Sequence, residues 1–159
     1  METEQISNCS HEDFLQIVSE VEGFWGSNRT LALHHPMFIN EFGDTAFVIK
    51  QNNKIVAYLF GFISQKETLG YVHLIGVRQD YQKRGLGKKL YSHFIEVLKL
   101  KGIYELKALT TPTNEKSIEF HTRLGMTMMG LENEKGIKVV KNYSSIGQET
   151  VVFKMQLHK

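Results

Sequence analysis

Gln82-Lys83-Arg84-Gly85-Leu86-Gly87-Lys88-Lys89 is a basic turn with two glycines, set between an apolar segment, Tyr71 to Val77, and an amphipathic one, Leu86 to Lys101. The first reads as a strand. The second reads as a helix on which Leu86, Leu90, Phe94, Val97 and Leu98 form one stripe, closed by Gly102. A helix start leaves backbone N–H groups without intrahelical acceptors, and such groups favour phosphate. Arg78, Lys83, Arg84, Lys88 and Lys89 oppose the helix dipole unless an anion offsets them. The same glycines also suit a plain tight turn. Spacing excludes two familiar phosphate loops: the third glycine of a dinucleotide fingerprint is missing, and no Gly-x-x-x-x-Gly-Lys-Ser/Thr run occurs.

Downstream, Tyr104 to Thr110 reads as a strand, so strand, helix and strand form a right-handed crossover between parallel neighbours. Pro112 to Glu115 starts a further helix with Ser117, Ile118, His121 and Leu124 facing inward, ended by Gly125. Met126 to Leu131 reads as a strand and Glu132 to Gln148 as a long polar loop. Val151, Phe153, Met155 and Leu157 alternate, which predicts a last strand with one face in water or at an edge. Upstream, Ile6 lies in a short first strand, and Ser10 to Asp13 opens a helix with a capping-box pair. That helix is expected to reach Glu22 and stop at Gly23, with Phe24 and Trp25 in the loop beyond it and Pro36 opening a second helix that ends near Gly43. Thr45 to Lys50 and Lys54 to Ser64 form a hairpin around Asn52-Asn53, the second strand being apolar enough to be covered on both faces.

The chain has 159 residues, 42% hydrophobic and 23% charged, which suits one domain over residues 1–159 with a core of its own and excludes a disordered chain. A net charge of +2 gives no reason to expect a nucleic-acid or membrane partner. Cys9 is the only cysteine, which excludes an intrachain disulfide, and His34-His35 with Cys9 have no metal-ligand spacing, so no metal site is expected. Met1-Glu2-Thr3-Glu4 lacks a signal peptide's charge, and no apolar run is long enough to span a bilayer, so a cytoplasmic location is expected.

The motif Gln82-x-x-Gly85-x-Gly87 after a strand ending in Val77, with Asn114 and Phe120-His121-Thr122-Arg123-Leu124-Gly125 downstream, resembles the GNAT superfamily of N-acetyltransferases. The resemblance implies a single α/β domain whose mixed, mostly antiparallel sheet splays between its fourth and fifth strands and is flanked by helices. It also implies acetyl-coenzyme A as cofactor, its pyrophosphate held by the turn of Gln82, Lys83, Arg84, Gly85, Leu86, Gly87 and Lys88. Its pantetheine arm pairs with the main chain of Ile75, Gly76 and Val77. Asn114 matches a position that contacts the arm, and also suits plain helix capping. His121 stands where the family usually has a tyrosine that protonates the leaving thiolate. An imidazole titrating near neutrality would serve, and a core histidine satisfied by a hydrogen bond is the other reading.

For the general base, His73 is the first candidate, since Tyr71 and His73, counted back from Val77, share a face and match a His-x-His pair of the family's arylalkylamine enzymes. Glu67 is a weaker candidate. Phe24, Trp25, Tyr71 and His73 would meet the acceptor, although Phe24 and Trp25 also suit a hydrophobic plug. The implied activity is acetyl transfer to a primary amine of a small molecule or peptide by direct attack in a ternary complex, by a monomer or a homodimer. A non-catalytic acyl-coenzyme A sensor is the alternative.

Overall fold

The computed structural model describes residues 3–159. Its strands are β1 (Glu4–Asn8), β2 (Ala46–Gln51), β3 (Lys54–Ile63), β4 (Gly70–Val77), β5 (Glu105–Thr110), β6 (Thr127–Met128), β7 (Leu131–Glu132), β8 (Lys138–Lys141) and β9 (Glu149–Gln156). They lie in the order β1-β2-β3-β4-β5-β9-β8-β7, with β6 beside β9. Among the described residues only β4 and β5 are parallel, as the crossover through a helix requires. The helices are α1 (His11–Ser19), α2 (Val21–Trp25), α3 (Met37–Asn40), α4 (Leu86–Leu100) and α5 (Glu115–Arg123).

Each face of the sheet is covered. On one, Leu86, Leu90, Tyr91, Phe94 and Leu98 of α4 pack on Phe47, Leu59, Val72 and Leu106. On the other, Phe14, Ile17, Phe24 and Phe38 pack on Val48, Tyr58, Phe60 and Leu74. Each large apolar side chain so buried contributes about 1.5–3 kcal/mol. β3 lies between them, buried from Ile55 to Gly61, and Asn52 and Asn53 turn the β2–β3 hairpin at φ 50° and 67°.

β4 departs from a regular strand in two ways. Phe60 pairs with Leu74 but Gly61 pairs with Val72, so His73 is an extra residue, a β-bulge. Beyond it the alternation restarts out of phase: Val72, Ile75 and Val77 face α4, whereas Tyr71 meets Phe62 at 4.7 Å, His73 stacks on Phe38 at 4.7 Å, and Leu74 joins the opposite core. Counting by twos from Val77 therefore puts Tyr71 and His73 on the wrong side of the sheet, although the two do share a face. The second departure is the splay. β4 and β5 pair only at Gly70–Leu106, Tyr71–Lys107 and Val72–Ala108; from His73 onward β4 has no strand partner on that side, while β5 continues along β9.

Other differences from the sequence have local causes. The first helix breaks at Glu20, and a second one passes through Gly23 to end at Gly26, φ 75°. Glycine at 23 leaves room for Arg78, whose Nη1 would stand 3.1 Å from a Cβ there. The helix behind Pro36 is one turn, ending at Asn40. Gly130, at φ 90° and close against the Val139 carbonyl, divides the strand expected over Met126 to Leu131 into β6 and β7, and the supposed polar loop contains β8. β9 is no edge. It lies between β5 and β8, and Val151, Val152 and Phe153 are all buried.

Candidate functional site

The basic turn ends in an open helix start. Gly85 holds φ 79° at the N-cap of α4, no side chain caps the helix, and a Cβ at Gly85 would meet nothing within 4 Å. The first-turn amides are thus left for an outside acceptor beside exposed Lys83, Arg84 and Lys88. Gln82 reaches back to the Val77 carbonyl at 3.4 Å. Three of the five cations have partners in the chain: Arg84 donates to the Asp80 carbonyl at 3.3 Å and lies over Tyr81, though it stays exposed, and the other two are spent away from the turn. Arg78 is buried, donates to the Ile55 carbonyl at 3.0 and 2.8 Å and lies over Phe24, while Lys89 pairs with Glu4. Gly87 has a packing role: a Cβ there would stand 2.9 Å from the Phe120 ring. Gly87→Ala is expected to lower stability by about 1–3 kcal/mol, read as a lower urea midpoint.

At the head of α5 the Asn114 carboxamide accepts from the Ser117 N–H at 3.2 Å, which makes it the helix cap. His121 is buried, stacked on Phe153 at 4.7 Å. Its Nδ1 lies 2.8 Å from the Ser117 carbonyl and must donate to it, so Nε2 accepts from the Tyr91 hydroxyl at 2.6 Å. Burial pushes its pKa down to about 4, against the Ser117 carbonyl, which favours the proton. The near-neutral titration expected of this residue is therefore corrected: both nitrogens are occupied and the ring is neutral at physiological pH.

The opposite face gathers the other candidates. His73 is half-buried against Phe38, with the Tyr71 hydroxyl 3.3 Å from its Nδ1. Burial lowers its pKa, partly offset by the Leu33 carbonyl, so it is a neutral imidazole near pH 7. Phe24 is buried, edge-on to Tyr58 at 5.0 Å, and belongs to the packed core instead of an open wall. Trp25 is half-buried and donates its indole N–H to the Tyr58 hydroxyl at 2.7 Å. Tyr58 in turn donates to His34 Nε2 at 2.6 Å, since His34 Nδ1 serves the Thr30 carbonyl. That chain ties the segment after α2 to the back of Gly76, where a Cβ would stand 2.8 Å from the Tyr58 ring.

Sequence reasoning passed over Lys107. It is buried, donates to Glu67 at 2.5 Å and to the Tyr143 hydroxyl at 2.8 Å, and Lys154 holds the other Glu67 oxygen at 3.2 Å. Burial alone would lower the Lys107 pKa, but Glu67 and Tyr143 raise it overall. Glu67, held below its usual pKa by Lys107 first and then by Lys154, is a bound carboxylate and not a free base. A lysine inside an otherwise buried strand was the available signal. Among the described residues no cluster of metal-ligating side chains occurs, and no helix is long and apolar enough to cross a membrane.

The chain, with its splayed sheet and uncapped helix start, belongs to the acetyltransferase (GNAT) family, whose model matches residues 12–126. It is 35% identical to L-2,4-diaminobutyric acid acetyltransferase of Shouchella clausii (strain KSM-K16) over 83 residues, 51% of this chain and 46% of that one. It is 25% identical to N-alpha-acetyltransferase 30 of Schizosaccharomyces pombe (strain 972 / ATCC 24843) over 91 residues, 55% of this chain and 61% of that one. The chain thus spans about half the length of these relatives. Its fold is shared with Ard1 from Thermoplasma volcanium, at a TM-score of 0.76 and 15% identity, covering 98% of this chain and 99% of that one.

Proposed function

We propose that this chain transfers the acetyl group of acetyl-coenzyme A to a primary amine of a small molecule or peptide, both bound together, the amine attacking the thioester directly. The observation that carries this reading is the unpartnered edge of β4 from His73 to Val77, set beside the uncapped amides at Gly85. A pyrophosphate fits those amides, flanked by Lys83, Arg84 and Lys88, because no side chain caps the start of α4. The main chain of Ile75, Gly76 and Val77 would pair with the amide-rich arm, and Gly76, pressed by Tyr58, keeps that edge in place. When bound, acetyl-coenzyme A supplies the activated acyl group.

On the opposite face, His73, neutral and next to Tyr71, would accept the amine's proton, directly or through water. His121 enters as support for α5 and not as the acid, so the leaving thiolate takes its proton from solvent or from the amine itself. Proximity in the ternary complex would supply most of the acceleration, effective molarities for aligned groups reaching ~10⁵ M or more. The two relatives are named as an L-2,4-diaminobutyric acid acetyltransferase and an N-alpha-acetyltransferase, which supports an amine acceptor.

The test is calorimetric titration with acetyl-coenzyme A, followed by thiol release with a panel of amines. Binding together with amine-dependent thiol release is the expected result. Binding without release under any amine would make the chain a sensor, and no binding would remove both readings.

A further inference from the structure

We infer that Lys107 and Tyr143 form an anion subsite for a carboxylate of the acceptor, so that the amine this chain acetylates belongs to an amino acid. The inference rests on the transferase reading above and adds the acceptor's chemical class. Lys107 lies opposite Tyr71, one rung before the last β4–β5 pair, at the closed end of the splay. Paired residues point to one face of a sheet, so Lys107 shares the face of Tyr71 and His73. Tyr143 comes to it from the loop between β8 and β9.

The donors there outnumber the acceptors. A lysine ammonium has three N–H groups, and among the described residues Lys107 has Glu67 and the Tyr143 hydroxyl as acceptors. Tyr143 accepts that bond, and its own O–H finds no acceptor among the described residues. One N–H of Lys107 is therefore left without an acceptor among the described residues, on a side chain only 10% exposed, and the Tyr143 O–H beside it, on a residue 42% exposed, has only water to receive it. A donor buried without an acceptor costs about 1–3 kcal/mol. A carboxylate is the group that takes both at once, with charge to match.

Glu67 does not fill this role permanently. It belongs to the exposed turn between β3 and β4, its side chain is 41% exposed, and Lys154 already holds its second oxygen. A ligand carboxylate could take its place on Lys107 and leave Glu67 paired to Lys154, with no charge stranded. Lys154 also faces Glu105 at 3.5 Å, so it is already shared between two carboxylates. With its carboxylate on Lys107, the rest of an amino acid extends past Tyr71 toward His73 and the open edge of β4, where the amine has to react. A plain amine has no group for Lys107, and a peptide N-terminus offers only a neutral amide.

The test uses acceptor pairs that differ only in the carboxylate, lysine against cadaverine and ornithine against putrescine, together with an amidated alanine-led peptide. Each is measured by thiol release with acetyl-coenzyme A and by calorimetric binding to protein saturated with coenzyme A. The carboxylated member is expected to bind about 10-fold more tightly or better, and Lys107→Met to reduce that preference to about 2-fold or less. Glu67→Gln should keep or increase the preference; a Lys107–Glu67 pair that merely staples the turn would lose melting temperature with no such dependence. If Lys107→Met does not fold, Tyr143→Phe, on an exposed side chain, decides: the preference should fall by about 3-fold or more. Equal use of both members by the unmodified chain, a better peptide acceptor, or a preference that survives in the folded variant overturns the subsite. Carboxylate-selective binding without thiol release would sink the transferase reading and leave the subsite standing. Thiol release without selectivity would do the reverse.

Discussion

Replacing Arg84 and Lys88 together with glutamate is expected to weaken acetyl-coenzyme A binding by roughly 10- to 100-fold, about 1.4–3 kcal/mol, with little change in thermal stability. Both side chains are exposed. Lys88 lies in the first turn of α4, where a carboxylate suits the helix dipole better than an ammonium does, and this offsets the loss of Arg84's exposed contacts with the Asp80 carbonyl and the Tyr81 ring. The loss would be repulsion of a bound diphosphate. The check is calorimetry at low and high salt: affinity of the unmodified chain should fall as salt rises, and that of the variant should respond much less. An unchanged affinity with a raised melting temperature would mean that the turn holds no phosphate. Gly87→Glu is a poorer probe, because its Cβ would already press on Phe120 and confuse packing with charge.

The second large effect concerns acid stability. His121 titrates at about 4 in the folded chain against 6.5 for an ordinary histidine. A folded pKa below the unfolded one means that the unfolded chain takes up the proton first. Stability is therefore complete above pH 6.5, declines as pH falls toward 4, and loses nothing further from this group below that. The full decline amounts to about 3 kcal/mol for His121. His34 and His73, also lowered chiefly by burial, act in the same direction. Urea midpoints at pH 7 and pH 4.5 should differ strongly in the unmodified chain and markedly less in His121→Gln, which can still take the Tyr91 hydroxyl as a neutral partner. If His121→Gln keeps the whole pH dependence, the buried neutral ring is not its source. If it keeps near-normal turnover at saturating acetyl-coenzyme A, the supporting role at 121 is the right one.

Much of the fold is readable from the chain because the signals are local. The capping box of Ser10 and Asp13, the Asn52-Asn53 hairpin and the stripe of α4 each state their geometry within a few residues. The turn of Gln82 to Lys88 is legible for the same reason. What the sequence hides depends on partners far away. Arg78 looks like one more cation near the turn until the carbonyl of Ile55 takes its guanidinium. His121 looks like an acid until Tyr91, 30 positions back, occupies its second nitrogen. The interior place of β9 follows from β8, whose short strand sits in a segment with polar composition. Lys107 has the same origin, since Glu67 and Tyr143 meet it only in the folded chain.

The extra residue at His73 has a consequence for how this chain can change. Because the phase of side chains reverses there, β4 is two strands joined end to end: Ile75 and Val77 answer to α4, and Tyr71, His73 and Leu74 to the layer of α1 to α3. Both halves still meet both layers, since Val72 before the bulge also faces α4 and Gly76 beyond it lies against Tyr58. Removing the single bulge residue would turn every side chain beyond it to the opposite face, setting Ile75 and Val77 against the aromatic layer and Leu74 against α4.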